Sequence, residues 1–234
     1  MISIITFTMG RPKYLMDLIN SVMETNCFFQ DFEHLIFYQG IKPTEEENNF
    51  FNGNCKGYPL RVIKLVHNYG PGIGSTIAKD FINKKTKRVM RADDDCILRS
   101  PKYLSHVIEI SNLIPNSVFS PFPVGLINNL GGSAKTYDRF VKHGPILDTY
   151  YTFRPVNHVG GFARICPIDL FMECNWPEEN LVGTSGNEDG YFSNFVRSKN
   201  IPMYYLENAL IVEHNESTLG QHERYKEYFK DGRF

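Results

Sequence analysis

The run from Ile2 to Thr8 is β-branched and apolar and is bounded by Gly10 and Pro12, which predicts a buried strand of a parallel or mixed sheet. Tyr14, Leu15, Leu18, Ile19 and Val22 then recur at three- and four-residue steps, with Pro12 where a helix start tolerates it, so a helix follows. His34 to Tyr38 reads as a second strand, Pro43-Thr-Glu-Glu-Glu47 as a polar segment of helical character, and Leu60 to Val66 as a third strand. A loop is predicted at Gly70-Pro-Gly-Ile-Gly74. After it, Ile77, Ala78, Phe81 and Ile82 mark an amphipathic helix that ends in the charged turn Lys84-Lys-Thr-Lys87, and Arg88 to Ala92 gives the fourth strand.

Strand, helix, strand, strand, helix, strand in this order is the pattern of an α/β sheet with right-handed crossovers, which gathers ligands at its carboxyl edge. The second half is less regular. A helix is expected over 101–112, a strand over 117–120, and then a Gly-, Pro- and Asn-rich tract over 121–158 whose length reads as a lid or binding loop. Val159-Gly-Gly-Phe-Ala163 follows, then helices over 167–173 and 188–199 and strands over 202–206 and 209–213. The 234 residues fit one large domain, residues 1–234, with a core burying most of its apolar surface.

Composition narrows the class without choosing a partner. Hydrophobic residues at 42% and charged residues at 22% exclude disordered and collagen-like chains, and no segment approaches the ~18 apolar residues of a membrane span. With 25 Lys+Arg against 26 Asp+Glu, the net charge of −1 gives no field toward nucleic acid or an anionic membrane. The basic cluster Lys84-Lys-Thr-Lys-Arg88 is too short to change that, so a nucleic-acid partner is not expected. Five cysteines, at 27, 55, 96, 166 and 174, are odd in number and never form Cys-x-x-Cys, which argues for reduced thiols. The first residues lack the basic start and the apolar length of a signal peptide, so a cytoplasmic location is expected and the sequon Asn215-Glu-Ser217 is read as chance.

The candidate chemistry centres on Asp93-Asp94-Asp95, which closes the fourth strand. Three carboxylates at a strand end repel one another unless a cation or an ordered hydrogen-bond set offsets them. Hard oxygen ligands on so short a spacing suit Mg²⁺ or Mn²⁺, with diphosphate oxygens completing the shell; the competing reading is a solvated acidic turn. Glu188 and Asp189 fall in the first turn of a predicted helix. There they either serve the helix dipole or supply a general base, Asp189 being the better placed. His214 follows a strand and is either a surface residue or a metal ligand that completes a site begun by Asp95. Cys96 adjoins the triplet and is read as packing, because a soft thiolate suits hard cations poorly.

The Gly70-x-Gly72-x-Gly74 run fails both the dinucleotide and the Walker patterns, and its small residues instead allow a helix and a nucleoside to approach closely. Thr6, Thr8 and Arg11 lie at the end of the first strand, where a base or ribose can meet them; β propensity is the plain alternative for the threonines and an exposed charge for Arg11. Trp176, with Tyr150 and Tyr151, is either core or an acceptor platform.

Taken in order, Ile5-Thr-Phe-Thr-Met-Gly-Arg-Pro12, Asn68-Tyr-Gly-Pro-Gly-Ile-Gly74, Ala92-Asp-Asp-Asp-Cys96, Gly160-Gly-Phe-Ala-Arg164, Glu188-Asp189, Arg197 and Val212-Glu-His214 resemble the GT-A glycosyltransferases, in particular family 2, across nearly the whole chain. The resemblance implies a single GT-A-like, Rossmann-like α/β domain with a mixed central sheet flanked by helices. Residues 1–100 would bind the nucleotide sugar and 101–234 would bind the acceptor and catalyse. It implies a UDP-sugar donor, a glycan or other hydroxyl acceptor, Mn²⁺ or Mg²⁺, and transfer with inversion. Asp93 would contact the ribose or a metal-bound water, Asp95 would ligate the metal with His214, and Asp189 would deprotonate the acceptor, with Glu188 beside it. Thr6, Thr8, Arg11, Asn68, Gly72 and Asp94 fall in the donor-binding segments. This chain departs from the family pattern at Gln39, where an aspartate often reads the uracil edge, and at Ser75 or Thr76, where an arginine is frequent. The competing readings are nucleotidyl transfer on the same scaffold, or a catalytically silent nucleotide-sugar-binding module.

Overall fold

The structure is a computed structural model, and it describes residues 1–25, 31–124, 140–144, 149–176 and 187–214. Cys27, the sequon at Asn215 and half of the predicted lid lie outside the described residues. Within them the chain runs β1 (Ile2–Thr8), α1 (Pro12–Thr25), β2 (Phe32–Gln39), α2 (Glu45–Gly53), β3 (Leu60–Leu65), α3 (Gly70–Ala78) and β4 (Arg88–Arg91). It continues with β5 (Cys96–Leu98), α4 (Tyr103–Leu113), β6 (Val118–Val124), β7 (Phe140–Gly144), β8 (Thr149–Val156), β9 (Ile165–Pro167), α5 (Ile168–Glu173), α6 (Asn187–Ser198) and β10 (Met203–His214).

One mixed sheet of ten strands carries the order β3-β2-β1-β4-β9-β6-β10-β8-β7, with β5 paired to β10. The first four strands are mutually parallel, as the alternation of strands and helices predicts. β1 is buried along nearly its whole length, which is why it reads as an unbroken apolar run. Ile4 and Ile5 face opposite cores. Ile4 packs with Leu18 and Val22 of α1 and Leu104 and Val107 of α4, and Ile5 with Leu35, Val196 and Trp176.

Local chemistry fixes several elements. Thr44 caps α2 through a capping box with Glu47, whose buried carboxylate also accepts from the Tyr38 hydroxyl at 2.7 Å. The glycine run forms the start of α3 rather than a loop, because a Cβ at Gly74 would stand 2.8 Å from the Phe7 ring and only glycine lets the helix lie that close to β1. The described parts of the 121–158 tract up to Val156 are strands in the sheet, not a lid: Tyr151 and Phe153 are fully buried, and Tyr151 donates to Glu109 of α4 at 2.6 Å. The two strands predicted after residue 202 are one strand, β10, with a bulge. Its register against β6 shifts between Leu206 and Ile211, with Ala209 at φ 68°. No helix among the described residues is long and apolar enough to cross a membrane.

Candidate functional site

The triplet stands at the carboxyl end of β4, the edge where open α/β sheets hold ligands. Its backbone is tied down on both sides: Asp93 N–H donates to Phe162 O at 3.0 Å, and Cys96 N–H returns to Asp93 O at 3.2 Å. β5 starts immediately afterwards and pairs antiparallel with β10, so that Cys96 lies opposite His214. This three-residue strand, invisible to a periodicity reading, brings His214 to the triplet.

The three aspartates diverge. Asp94 is buried and accepts from Thr8 Oγ1 at 2.8 Å and from Arg11 Nε at 3.2 Å, with a second, charge-paired contact to Arg11 Nη2. Asp95 accepts from Arg11 Nη1 at 3.0 Å through Oδ2, while its Oδ1 lies 3.9 Å from His214 Nδ1. Asp93 turns the other way and pairs with Arg91 at 3.2 Å. Burial holds the Asp93 carboxyl above the usual carboxylate range; Arg91 opposes the shift, and Asp95 and Asp189 add to it.

Arg91 joins the triplet to the acidic pair of α6. Its Nη1 contacts Glu188 Oε1 and Asp189 Oδ1, each at 3.2 Å, and its Nη2 contacts Glu188 Oε1 at 3.2 Å. Burial works to discharge this guanidinium, and Asp93, Asp189 and Glu188 override it, so its pKa lies above the ordinary arginine value. Asp189 also accepts from Arg164 Nη1 at 3.0 Å on Oδ1 and from Gly161 N–H at 2.7 Å on Oδ2. Arg164 is itself buried, with its guanidinium carbon 3.9 Å from the Phe192 ring centroid. Gly161 is indispensable here, because a Cβ would stand 2.5 Å from Arg91 Nη1 and 2.6 Å from Asp189 Oδ1.

A carboxylate has about four lone-pair positions. Among the described residues these contacts fill two on Asp189 Oδ1 and one on Oδ2, which leaves one on Oδ2. Glu188 is turned inward, 5% exposed, and burial raises its pKa, with Arg91 opposing and Asp189 adding. Of the two α6 acids Asp189 is the more accessible, its side chain 17% exposed against 7% for Glu188.

The donor-side candidates are placed unevenly. Thr6 is fully buried and bonds His34 Nε2 at 3.0 Å, so its side chain faces the core rather than the edge. Thr8 and Arg11 serve Asp94 and Asp95 as above. Gln39 accepts the Tyr69 N–H at 3.0 Å with Oε1, and Asn68 Oδ1 accepts the Gly70 N–H at 3.0 Å. Gly72 is buried within α3. Trp176 takes its core reading: it stacks on Phe192 at 6.0 Å and donates to Glu188 O at 3.4 Å. Tyr151 is buried and Tyr150 is exposed, so the acceptor platform is not assembled from these side chains. Sequence reasoning assigned no role to Arg91, and it took Gly161 and Arg164 only as part of the Gly160-Gly-Phe-Ala-Arg164 motif, without a role for either beside Asp189. A buried arginine inside an apolar strand is the signal that could have found Arg91, since such a charge is almost never buried without an acid partner.

The donor set fits a divalent cation on two counts. Among the described residues His214 Nδ1 is buried without a hydrogen-bond partner, and its 3.9 Å separation from Asp95 Oδ1 is within reach of one ion forming ~2.1 Å bonds to both. In the pairs named above, Arg11, Arg91 and Arg164 face Asp93, Asp94, Asp95, Glu188 and Asp189, three cations against five carboxylates, so a doubly charged ion completes the balance.

No protein-family model and no curated protein sequence matches the chain. Solved structures do. S. aureus TarS 1-349 superposes with a TM-score of 0.64 at 16% identity, over 91% of this chain and 60% of that one. TarS 1-349 in complex with UDP-GlcNAc gives 0.64 at 17%, over 93% and 58%. GalNAc-T7 with UDP, GalNAc and Mn²⁺ gives 0.66 at 11%, over 91% and 42%. This chain therefore spans at most 60% of the length of these structures. The sheet order, the carboxylates at the end of β4 and these superpositions agree on one architecture: the chain has the GT-A fold.

Proposed function

We propose that the chain is a metal-dependent glycosyltransferase that moves a sugar from a nucleoside diphosphate, UDP in the first instance, to an acceptor hydroxyl with inversion. The observation that carries this reading is the Arg91 bridge, which puts Asp93 of the triplet and Asp189 of α6 on one buried guanidinium at the sheet's carboxyl edge. A donor-side carboxylate and a base held in one cluster is what attack on a phosphate-activated sugar requires.

Asp189 is the base. Its open Oδ2 position accepts the proton of the attacking hydroxyl, while Arg91, Arg164 and the Gly161 N–H hold the carboxylate still. Glu188 keeps Arg91 in place from the other side. Asp95 and His214 would hold Mn²⁺ or Mg²⁺, with Asp93 turned toward the ribose. When bound, the ion neutralises charge on the departing diphosphate. Arg11, fixed by Asp94, brings a permanent positive charge to the same edge. Gln39 has its carbonyl committed to Tyr69, leaving its amide N–H₂ to meet a carbonyl of the base. The donor and ion find support in the solved structures, since TarS was crystallised with UDP-GlcNAc and GalNAc-T7 with UDP and Mn²⁺. The acceptor class is a glycan or another hydroxyl compound.

The test is a screen of UDP-, GDP- and TDP-sugars with and without Mn²⁺, reading the nucleoside diphosphate released. Release of UDP that depends on Mn²⁺ is expected. Pyrophosphate release from a nucleoside triphosphate would replace this reading with nucleotidyl transfer, and donor binding with no turnover would replace it with a silent binding module.

A further inference from the structure

The cation site has a third donor that the reading above leaves unused. Cys96 follows Asp95 and is the residue opposite His214 in the β5–β10 pair. Directly opposed residues of an antiparallel pair project from the same face of the sheet, with Cβ atoms about 4.5–5.5 Å apart. The side chains accordingly meet: Cys96 Sγ lies 4.0 Å from His214 Nε2. A carboxylate oxygen of Asp95, the sulfur of Cys96 and a ring nitrogen of His214 all lie within 4.8 Å of one another, and all three residues are buried. Among the described residues His214 Nδ1 has no hydrogen-bond partner, and the Cys96 thiol, besides its contact with His214, donates to Phe162 O at 3.1 Å.

Oxygen, nitrogen and sulfur converging in this way do not describe a site for hard ions alone. Mg²⁺ and Mn²⁺ would draw on Asp95 and His214 and leave the sulfur aside. Zn²⁺ and its analogue Co²⁺ take all three donor types with bonds of ~2.0–2.3 Å, which in a tetrahedron separates the ligands by about 3.3–3.8 Å. With one donor atom taken from each residue the three lie within 4.8 Å of one another, so side-chain movement on the order of 1 Å brings them to that spacing.

We propose that Asp95, Cys96 and His214 form a three-ligand site for a thiophilic divalent ion, Zn²⁺ or Co²⁺, which competes with the hard ion used with the donor. The inference rests on the reading of Asp95 and His214 as cation ligands. Its consequence is a difference in how the two kinds of ion are held. A hard ion has two protein ligands and gains from the donor's phosphates, whereas a thiophilic ion has three protein ligands and is retained without nucleotide.

The experiment titrates the full chain with Co²⁺ in the absence of nucleotide and records near-ultraviolet absorbance. A thiolate-to-Co²⁺ charge-transfer band is expected, bleached by equimolar Zn²⁺ and missing in Cys96→Ser. Zn²⁺ affinity by calorimetry should fall at least 10–100-fold in that variant, the loss already typical when an outer-shell partner is removed. Cys96→Ala serves as a second variant, and circular dichroism checks that both fold. Saturation with Co²⁺ that gives no charge-transfer band, or a band that survives both substitutions, overturns the assignment. Because the titration contains no donor, failure of every sugar nucleotide to turn over would overturn the proposed reaction and leave the ion assignment intact.

Discussion

Removing the charge of Arg91 should cost the fold more than any other single change at the site. Arg91→Met keeps the length and apolar stem of the side chain and deletes only the guanidinium. That group is 8% exposed and holds Asp93, Glu188 and Asp189, each at 3.2 Å. A charge pair at about 4 Å in an effective dielectric near 20 attracts by roughly 4 kcal/mol. Desolvation of the buried ions takes back several kcal/mol, and the measured outcome of deleting one partner of a buried pair is a loss of about 3–5 kcal/mol. A loss of that size is expected here, because Glu188 is left as a buried acid with neither of its Arg91 contacts. Urea unfolding monitored by the fluorescence of Trp176, the chain's one tryptophan, measures it directly, since its indole packs on Phe192 and bonds Glu188 O. Adding Glu188→Gln to Arg91→Met removes the stranded charge and should restore about 1–3 kcal/mol. A loss below about 1 kcal/mol for Arg91→Met, or a double variant no more stable than the single one, would refute the ion-pair reasoning.

Three further outcomes are expected. Asp189→Asn keeps an acceptor for the arginines and loses the basic oxygen, so turnover should drop by ~10²-fold or more while donor affinity measured by calorimetry is kept; full turnover would remove Asp189 as base. Asp95→Ala should abolish the Mn²⁺-dependent part of UDP binding, and an unchanged Mn²⁺ dependence would exclude Asp95 as ligand. Burial pushes His34 from its usual 6.5 down to about 3, so between those values the unfolded chain holds a proton that the folded chain does not. The stability from keeping His34 neutral is complete above about pH 6.5 and is lost as the pH falls toward 3, by about 1.4 kcal/mol per pH unit from this group. Urea midpoints at pH 7.5 and 5.0 read it, and His34→Gln should flatten the difference.

The parallel half of the fold was legible because its strands are buried on both faces and so leave long apolar runs, as in β1 and β2. The errors have local causes. β5 and β9 have three residues each, too few to show any period. The bulge at Ala209 interrupts the alternation of β10, so one strand reads as two. Gly72 and Gly74 look like a loop because glycine is a poor helix former, and the close approach to Phe7 explains Gly74 inside a helix. At the site, residue type revealed the carboxylates and His214 but not their partners. Thr6 and Thr8 share a strand, a chemistry and, being two residues apart, a face, yet one bonds His34 in the core and the other Asp94 at the edge, a difference set by position along β1, whose carboxyl end is Thr8, and by the partner each meets there.

The bare Cα of residue 161 also sets limits on redesign. Any side chain there would collide with both Arg91 and Asp189, so libraries intended to alter the site should leave that codon untouched. Diversity belongs instead at partly exposed His158, three residues upstream and close enough to Asp189 to feel its charge, where substitutions alter the surroundings of the carboxylate without unseating it.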